Sequence, residues 1–249
     1  MKKKIIIILL ISIITISGYI HIKYQDSIPV LGYHNIVNDN EKDPNNPYVM
    51  NITTFQKQMQ YLKDNNYQTL TMDQLNDYYQ NHKPFPKKAV VITFDDGFST
   101  INDIVTPILK QYNFTATCFI IGKRTTPNQY PQYLKQDQIK NNDTIQYYSH
   151  SYNMHQQLEN NQKKIETLQL NQIQSDFINN ESIVSDTYFA YPFGKETKLS
   201  RQVLKERNIQ LAFGYNQNRN LLHSSDQYLL PRYQINDNIP FFLFKLIVK

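Results

Sequence analysis

Two shortages stand out in this 249-residue sequence: it has no tryptophan and only one cysteine. A single cysteine excludes any disulfide within the chain, so a buried core has to hold the fold together. Cys118 sits in the apolar run Ala116-Thr117-Cys118-Phe119-Ile120-Ile121, where a small buried hydrophobe is the expected role. Charge is also sparse, with 19% Asp, Glu, Lys and Arg and a formal balance of +5. No Lys/Arg stripe interleaved with aromatics occurs beyond the amino terminus, so nucleic acid is not an expected partner. Internal repeats and domain linkers are absent too. What the chain does have is 40% hydrophobic residues, including 19 Tyr and 13 Phe, enough for one sizeable folded domain. Tyrosines can form sugar-stacking platforms, but partly buried packing with a wet hydroxyl is their commoner use.

The amino terminus reads MKKKIIIILLISIITISGYIHIK: three lysines, then an apolar run from Ile5 to about Ile22 with no acidic residue. This is an export signal. Its length lies between a signal-peptide core and the roughly 20 residues that span a bilayer. Thr15-Ile16-Ser17 is a weak cleavage site, and no cysteine follows to carry a lipid. Residues 1–27 are therefore expected to be a signal or membrane anchor, an uncleaved anchor being favoured over a cleaved signal that would leave the domain secreted. The lysines would stay cytoplasmic, placing the domain, residues 28–249, on the extracellular face of the membrane.

From Ile28 onward, strand and helix signals alternate. SIPVLGYHNI is a short apolar run ending at Tyr33-His34, and Asn38 to Pro47 is a polar surface loop. Thr54 is placed to cap a helix carrying Phe55, Met59 and Leu62, which runs to Asn65-Asn66. KKAVVITF, FTATCFII, Thr144 to Ser149, DTYFAYPFG, IQLAFGY and YLLPRYQI read as strands. Helices are expected from Ser99-Thr100 through Leu109, over Lys163–Ile178 and over Ser200–Arg207, and FFLFKLIV as a closing helix or strand. Such alternation implies parallel strands with crossover helices, closed or nearly closed into an α/β barrel.

Chemistry in a parallel barrel gathers at the carboxyl ends of the strands. VVITFDDGF puts Asp95 and Asp96 at such an end, just before Gly97. Two adjacent carboxylates are costly in a sheet interior unless a cation sits beside them, which points to a metal. Successive strand side chains point opposite ways, so one carboxylate can bind while the other reacts. In YYSHSYNMH, His150 and His155 are five residues apart. Neither a helix nor a strand lets both reach one ion at that spacing, but a strand end running into a loop does. With one Asp they form a His, His, Asp set that leaves positions open for water and substrate.

TFDDGF, SHSYNMH and FAYPFG, in that order on successive strands, resemble the polysaccharide deacetylases of the NodB-homology, carbohydrate esterase family 4 type, from about Ile28 to Ile235. The resemblance implies a distorted (β/α)7 barrel and metal-dependent removal of acetyl groups from N-acetylglucosamine polymers. It implies Asp95 as catalytic base, and Asp96, His150 and His155 as ligands of a divalent metal. Zinc is the expected ion, though the ligand set also accepts cobalt or nickel. A metal on two neutral imidazoles and one carboxylate keeps net positive charge, acidifies its water and polarises the amide carbonyl.

The sequence departs from the wider family pattern in three places. The histidines are one residue further apart than usual, resembling the branch that acts on poly-β-1,6-N-acetylglucosamine of biofilms. FAYPFG lacks the arginine that usually opens the third motif and orients the base; Arg232 in LLPRYQI is the candidate replacement, with a plain salt bridge as the alternative. The family's tyrosine is Phe193 here, a tolerable change if its backbone N–H is what stabilises the oxyanion. For the general acid, PVLGYHNI resembles the Leu-x-Tyr-His element of the biofilm deacetylases and favours His34 over His223. The expected partner is a polysaccharide containing N-acetylglucosamine, acted on by a monomer. Peptidoglycan or chitin oligomers are the alternative substrates. A non-catalytic glycan-binding protein is the alternative outside enzymes, while a glycosidase using adjacent Asp95 and Asp96 fails because neighbours on one strand cannot flank a bond.

Overall fold

Strands such as Ala89–Phe94, apolar along their whole length, must be covered on both faces. In the computed structural model, which describes residues 27–43, 45–221 and 226–249, they lie side by side in one curled parallel sheet. Numbering the strands of this sheet in chain order gives β1 (Val30–Tyr33), β2 (Ala89–Phe94), β3 (Ala116–Ile120), β4 (Ile145–Ser149), β5 (Tyr188–Ala190), β6 (Leu211–Phe213) and β7 (Tyr233–Gln234). Their spatial order is β6-β5-β4-β3-β2-β1-β7, every pair parallel. A short strand, Gln68–Thr69, pairs with the start of β2. A single parallel bridge between Phe213 and Leu230 ties the β6 edge to the segment running into β7. The half-barrel therefore curls until its two edges nearly meet, the α/β architecture expected. The anchor expected over residues 1–27 lies, apart from Ser27, outside the described residues, as does His223. Among the described residues no helix is long and apolar enough to cross a membrane.

The period-two alternation of the strands sorts the core. Val91 of β2 faces inward with Phe119, Tyr148, Ala190 and Phe213, and this column is met by Met72, Leu75 and Tyr79 of a helix at Met72–Gln80. Val90, Ile92 and Phe94 face outward against helices at Ile52–Asp64, Thr106–Tyr112 and Phe241–Val248. Phe189 and Ala212 face outward against helices at Leu170–Glu181 and Lys198–Glu206. Among the described residues the α-helices are, in chain order, α1 (Ile52–Asp64), α2 (Met72–Gln80), α3 (Thr106–Tyr112), α4 (Leu170–Glu181), α5 (Lys198–Glu206) and α6 (Phe241–Val248).

Several boundaries differ from the sequence reading. Helix α1 starts at Ile52 with Asn51 at its cap, and Thr54 lies inside it. The α2 helix escaped notice, although Thr71 and Gln74 form reciprocal cap bonds at its start. The segment before α3 is a wide turn, Ile101–Val105, in which the Thr106 N–H reaches back five residues to the Ile101 carbonyl. Pro107 follows and has no N–H for the ordinary ladder. Lys163–Ile178 divides into a short turn, Lys164–Glu166, and α4, which begins after Gln169. In YLLPRYQI only Tyr233–Gln234 is strand, because Pro231 cannot donate to a ladder. FFLFKLIV is a helix, and Cys118 is buried as expected.

Candidate active site

The site gathers at the carboxyl ends of β1, β2, β4, β5 and β6. Asp95 continues the pairing of β2 with β1, its N–H donating to the Tyr33 carbonyl at 3.0 Å. The next two residues leave the strand through left-handed backbone, with φ of 76° at Asp96 and 82° at Gly97. The positive φ at Gly97 favours glycine, and a side chain there would also have to displace Ile120 Cδ1, 2.7 Å away. This exit breaks strand alternation and lets two consecutive carboxylates face different partners, Asp95 toward Arg232 and Asp96 toward the two histidines.

Asp95 is 1% exposed and fully partnered. Arg232, itself completely buried, donates from Nη1 to Oδ1 and from Nη2 to Oδ2, both at 2.8 Å. The Tyr215 hydroxyl donates to Oδ2 at 2.8 Å. Arg232 is steadied by bonds to Thr93 Oγ1 at 3.1 Å and the Gly214 carbonyl at 3.3 Å, and it lies 4.2 Å from the Tyr215 ring centre. Burial alone would raise the Asp95 pKa, but the Arg232 charge and its hydrogen bonds outweigh it, helped by His150 and His34. The carboxyl is held well below the usual carboxylate range. The arginine absent from FAYPFG thus has a geometric counterpart, reaching Asp95 from the position just before edge strand β7.

Asp96 faces the histidines. Its Oδ1 lies 3.7 Å from His150 Nε2 and 3.8 Å from His155 Nε2, and one ligand atom from each residue lies within 4.8 Å of the others. These separations are too long for hydrogen bonds. Two metal bonds of about 2.1 Å span at most about 4.2 Å, so the two Asp96–histidine distances suit ligands sharing one ion. Asp96 Oδ1 is buried without a hydrogen-bond partner, as expected of an atom reserved for a cation. His150 Nδ1 is 2.7 Å from the Ala190 carbonyl, which can only accept, so the proton sits on Nδ1 and the Nε2 lone pair faces the cluster. Burial lowers the His150 pKa to about 4, and burial with the Arg124 charge lowers His155 to about 3. Both imidazoles are therefore neutral, the form that ligates. These residues fit a divalent ion.

The loop joining the two histidines is pinned by Asp176 of α4, which accepts the Tyr152 N–H at 2.6 Å and the Asn153 N–H at 2.7 Å. His34, one residue past β1, lies between Tyr48, at 4.8 Å, and Tyr215, at 6.0 Å between ring centres. It is within electrostatic range of both Asp95 and His155. Phe193 adopts left-handed backbone, φ 58°, and its ring stacks on His155 at 4.0 Å. His34, Asp95, Asp96, His150, His155, Phe193 and Arg232, seven of the residues singled out from the sequence, thus gather at one end of the sheet, while His223 lies outside the described residues.

The sequence reading missed three others. Tyr215 stands at the end of IQLAFGY, a strand-end position that could have exposed it. A side chain at Gly32 would meet its ring at 2.5 Å, so Gly32 is what lets Tyr215 reach Asp95. Arg124 pairs with Asp96 Oδ2 at 3.1 Å and lies over the Tyr133 ring. Nothing local to Arg124 or Asp176 marks either one.

The polysaccharide deacetylase family model matches residues 82–212, more than half of the chain. The chain belongs to the polysaccharide deacetylase family. The matched stretch holds Asp95, Asp96, His150, His155 and Phe193, while His34, Tyr215 and Arg232 lie outside it. Among curated relatives, the poly-β-1,6-N-acetyl-D-glucosamine N-deacetylase of Staphylococcus epidermidis is 26% identical over 242 residues, covering 87% of this chain and 82% of that protein. Its Staphylococcus aureus counterpart is 26% identical over 205 residues, covering 77% and 69%. Among solved structures, this deacetylase has the fold of the Streptococcus pyogenes deacetylase PplD, with a TM-score of 0.76 at 22% identity, covering 90% of this chain and 98% of that one. It also has the fold of IcaB from Ammonifex degensii, with a TM-score of 0.73 at 20% identity and the same coverages.

Proposed function

We propose that this polysaccharide deacetylase hydrolyses the N-acetyl groups of poly-β-1,6-N-acetylglucosamine outside the cell, as a monomer anchored through its amino-terminal segment. The observation that carries the reading is the meeting of Asp96, His150 and His155 beside an Asp95 locked by Arg232. The substrate is suggested by the staphylococcal relatives of that name, which align with most of this chain. The curled parallel sheet supports the finer reading as a distorted (β/α)7 barrel of the NodB-homology type.

Asp96, His150 and His155 would hold a divalent ion, zinc being the first choice and cobalt or nickel acceptable to the same donors. Such an ion polarises the acetamide carbonyl and acidifies a water, which suits a base as weak as Asp95. Arg232 and Tyr215 keep Asp95 ionised and fixed in direction, ready to take a proton. His34 is assigned to protonate the departing amine, and the Phe193 N–H to donate to the oxyanion. The Arg232 contact also answers the non-catalytic alternative, which rested on the missing motif arginine.

The test is acetate release by the metal-loaded protein from poly-β-1,6-N-acetylglucosamine, chitin oligomers and peptidoglycan, compared side by side. Fastest release from the β-1,6 polymer is expected. Preference for either other glycan would reassign the substrate, and release from none of the three would overturn the catalytic reading.

A further inference from the structure

Helix α6 is apolar on both sides. Phe244 and Val248 are buried in the core, and Phe241 packs edge-on against Tyr61 of α1. The other side holds Phe242 at 64% exposure, Leu246 at 62% and Leu243 at 39%, three of the five large exposed hydrophobics among the described residues. Apolar side chains grouped in this way on a surface mark a contact with something else. From Ile239 to Lys249 the sequence has no acidic residue, and Lys245 and Lys249 flank the face. Lys57 of α1 adds a third cation, its ammonium 4.4 Å from the Phe241 ring centre. An apolar helical face rimmed by lysines has the chemistry of a helix lying on an anionic lipid surface.

The position of α6 favours lipid over another protein. Arg219 donates to the Ser27 hydroxyl at 2.7 Å, to the Ser27 carbonyl at 3.2 Å and to the Ile247 carbonyl at 2.9 Å. One guanidinium thus clamps the last turn of α6 to the first described residue. Ser27 follows the apolar run Ile5–Ile22 by five peptide steps, which reach at most about 17 Å when fully extended. With that run in a bilayer, the end of α6 has to stand close to the lipid surface. The opposite end of α6 lies near the start of α1, where the Asn51 N–H bonds Asp237 at 3.1 Å.

We propose that α6 lies on the outer surface of an anionic phospholipid bilayer, with Phe242, Leu243 and Leu246 in the boundary between headgroups and acyl chains. It is a second membrane contact beside the amino-terminal anchor, and it rests on the anchored reading given above. Two contacts restrict rotation of the domain about the tether.

The absence of native tryptophan makes the test direct. Leu246→Trp in the full chain introduces a single indole, and Ile178→Trp, at another exposed position on α4, serves as the control. Each protein is reconstituted into vesicles of phosphatidylglycerol and phosphatidylcholine, with and without bromine on the acyl chains. The expected result is a blue shift and bromolipid quenching for the indole at position 246 and neither for that at 178. Adding Phe242→Ser and Leu243→Ser to Leu246→Trp should reduce the quenching. Alkaline carbonate washing reports anchoring separately, and acetate release from the glycan reports catalysis separately. Protein that resists the wash but shows no quenching at 246 overturns the proposal. A blue shift without quenching also overturns it, and assigns the face to residues 5–22 or to a second copy. Protein that washes off overturns both the anchor and the α6 contact.

Discussion

Asp95 and Asp96 are consecutive, yet their surroundings follow opposite rules. Both Asp95 oxygens are filled, by Arg232 and Tyr215, in a fully buried pair. Asp96 keeps one oxygen without a partner, facing two imidazoles that it does not touch. A carboxylate with both oxygens bonded is a fixed part of the fold, whereas one that meets Arg124 through Oδ2 and leaves Oδ1 unbonded beside neutral histidines has the donor geometry of a cation ligand. The difference teaches how the proposed roles divide: Asp95, the proposed base, is the one the protein holds rigid, and Asp96, the proposed ligand, is the one it leaves with an unbonded oxygen.

The sharpest way to break this comparison is to neutralise each aspartate in turn. Asp95→Asn should lower turnover by about 10² to 10⁴-fold, the usual contribution of a general base. Its zinc content should be unchanged by elemental analysis. Asp96→Asn should lose zinc, with activity partly restored by added metal. Metal loss in the first variant with retention in the second would reverse the assignment.

The next largest effect concerns the filled side. Arg232→Met strands a buried carboxylate and should cost about 3–5 kcal/mol in urea unfolding. Combining it with Asp95→Asn removes both charges and should recover a large part of that loss. A double variant no more stable than Arg232→Met would show that the pair is not a closed unit.

A smaller effect is expected on the incomplete side. Asp176→Asn keeps an oxygen for one loop N–H and loses the other acceptor, so His155 should be held less firmly. Metal affinity should fall by about 10-fold, the low end for supporting partners. An unchanged affinity by chelator competition would mean that the loop is set by its own backbone.

A further test is in pH. His150 and His155 sit at about 4 and about 3 in the metal-free protein, below the value of roughly 6.5 for an unfolded histidine. The native state then binds fewer protons than the unfolded chain, so their contribution is present above about pH 6.5 and is lost as pH falls toward 4. Asp176 works against them, because burial raises its carboxyl to about 6 and native protein gains protons there first. The urea midpoint of metal-free protein should decline on acidification through this window, and more steeply in Asp176→Asn. A midpoint that rises on acidification would contradict the neutral-histidine geometry.

Much of the site was legible because its signals are local. TFDDG marks a strand end by its apolar run and glycine, and the His150–His155 spacing excludes regular structure by itself. Arg232 was reachable because a gap in one motif asked for a cation elsewhere. Tyr215, Arg124 and Asp176 were not, since each acts through a contact between distant segments that no neighbouring residue announces. For Phe193 the sequence reading concerned its backbone alone, and the stacking of its ring on His155 belongs to tertiary structure. The fold was read through its strands, whereas helix starts were misjudged where a side-chain cap at Thr71 or the proline at 107 governs the local geometry.

The reach of Arg232 across 137 residues of sequence to Asp95 also sets a schedule. A chain synthesised only as far as residue 212 already contains every residue of the family-matched stretch, but neither Tyr215 nor Arg232 exists yet to secure the base. The segment that delivers the guanidinium is made only after the whole family-matched stretch. The buried ion pair therefore forms later than the motifs that resemble the family, and a chain stopped at residue 212 carries those motifs with Asp95 unpaired by Arg232 and Tyr215.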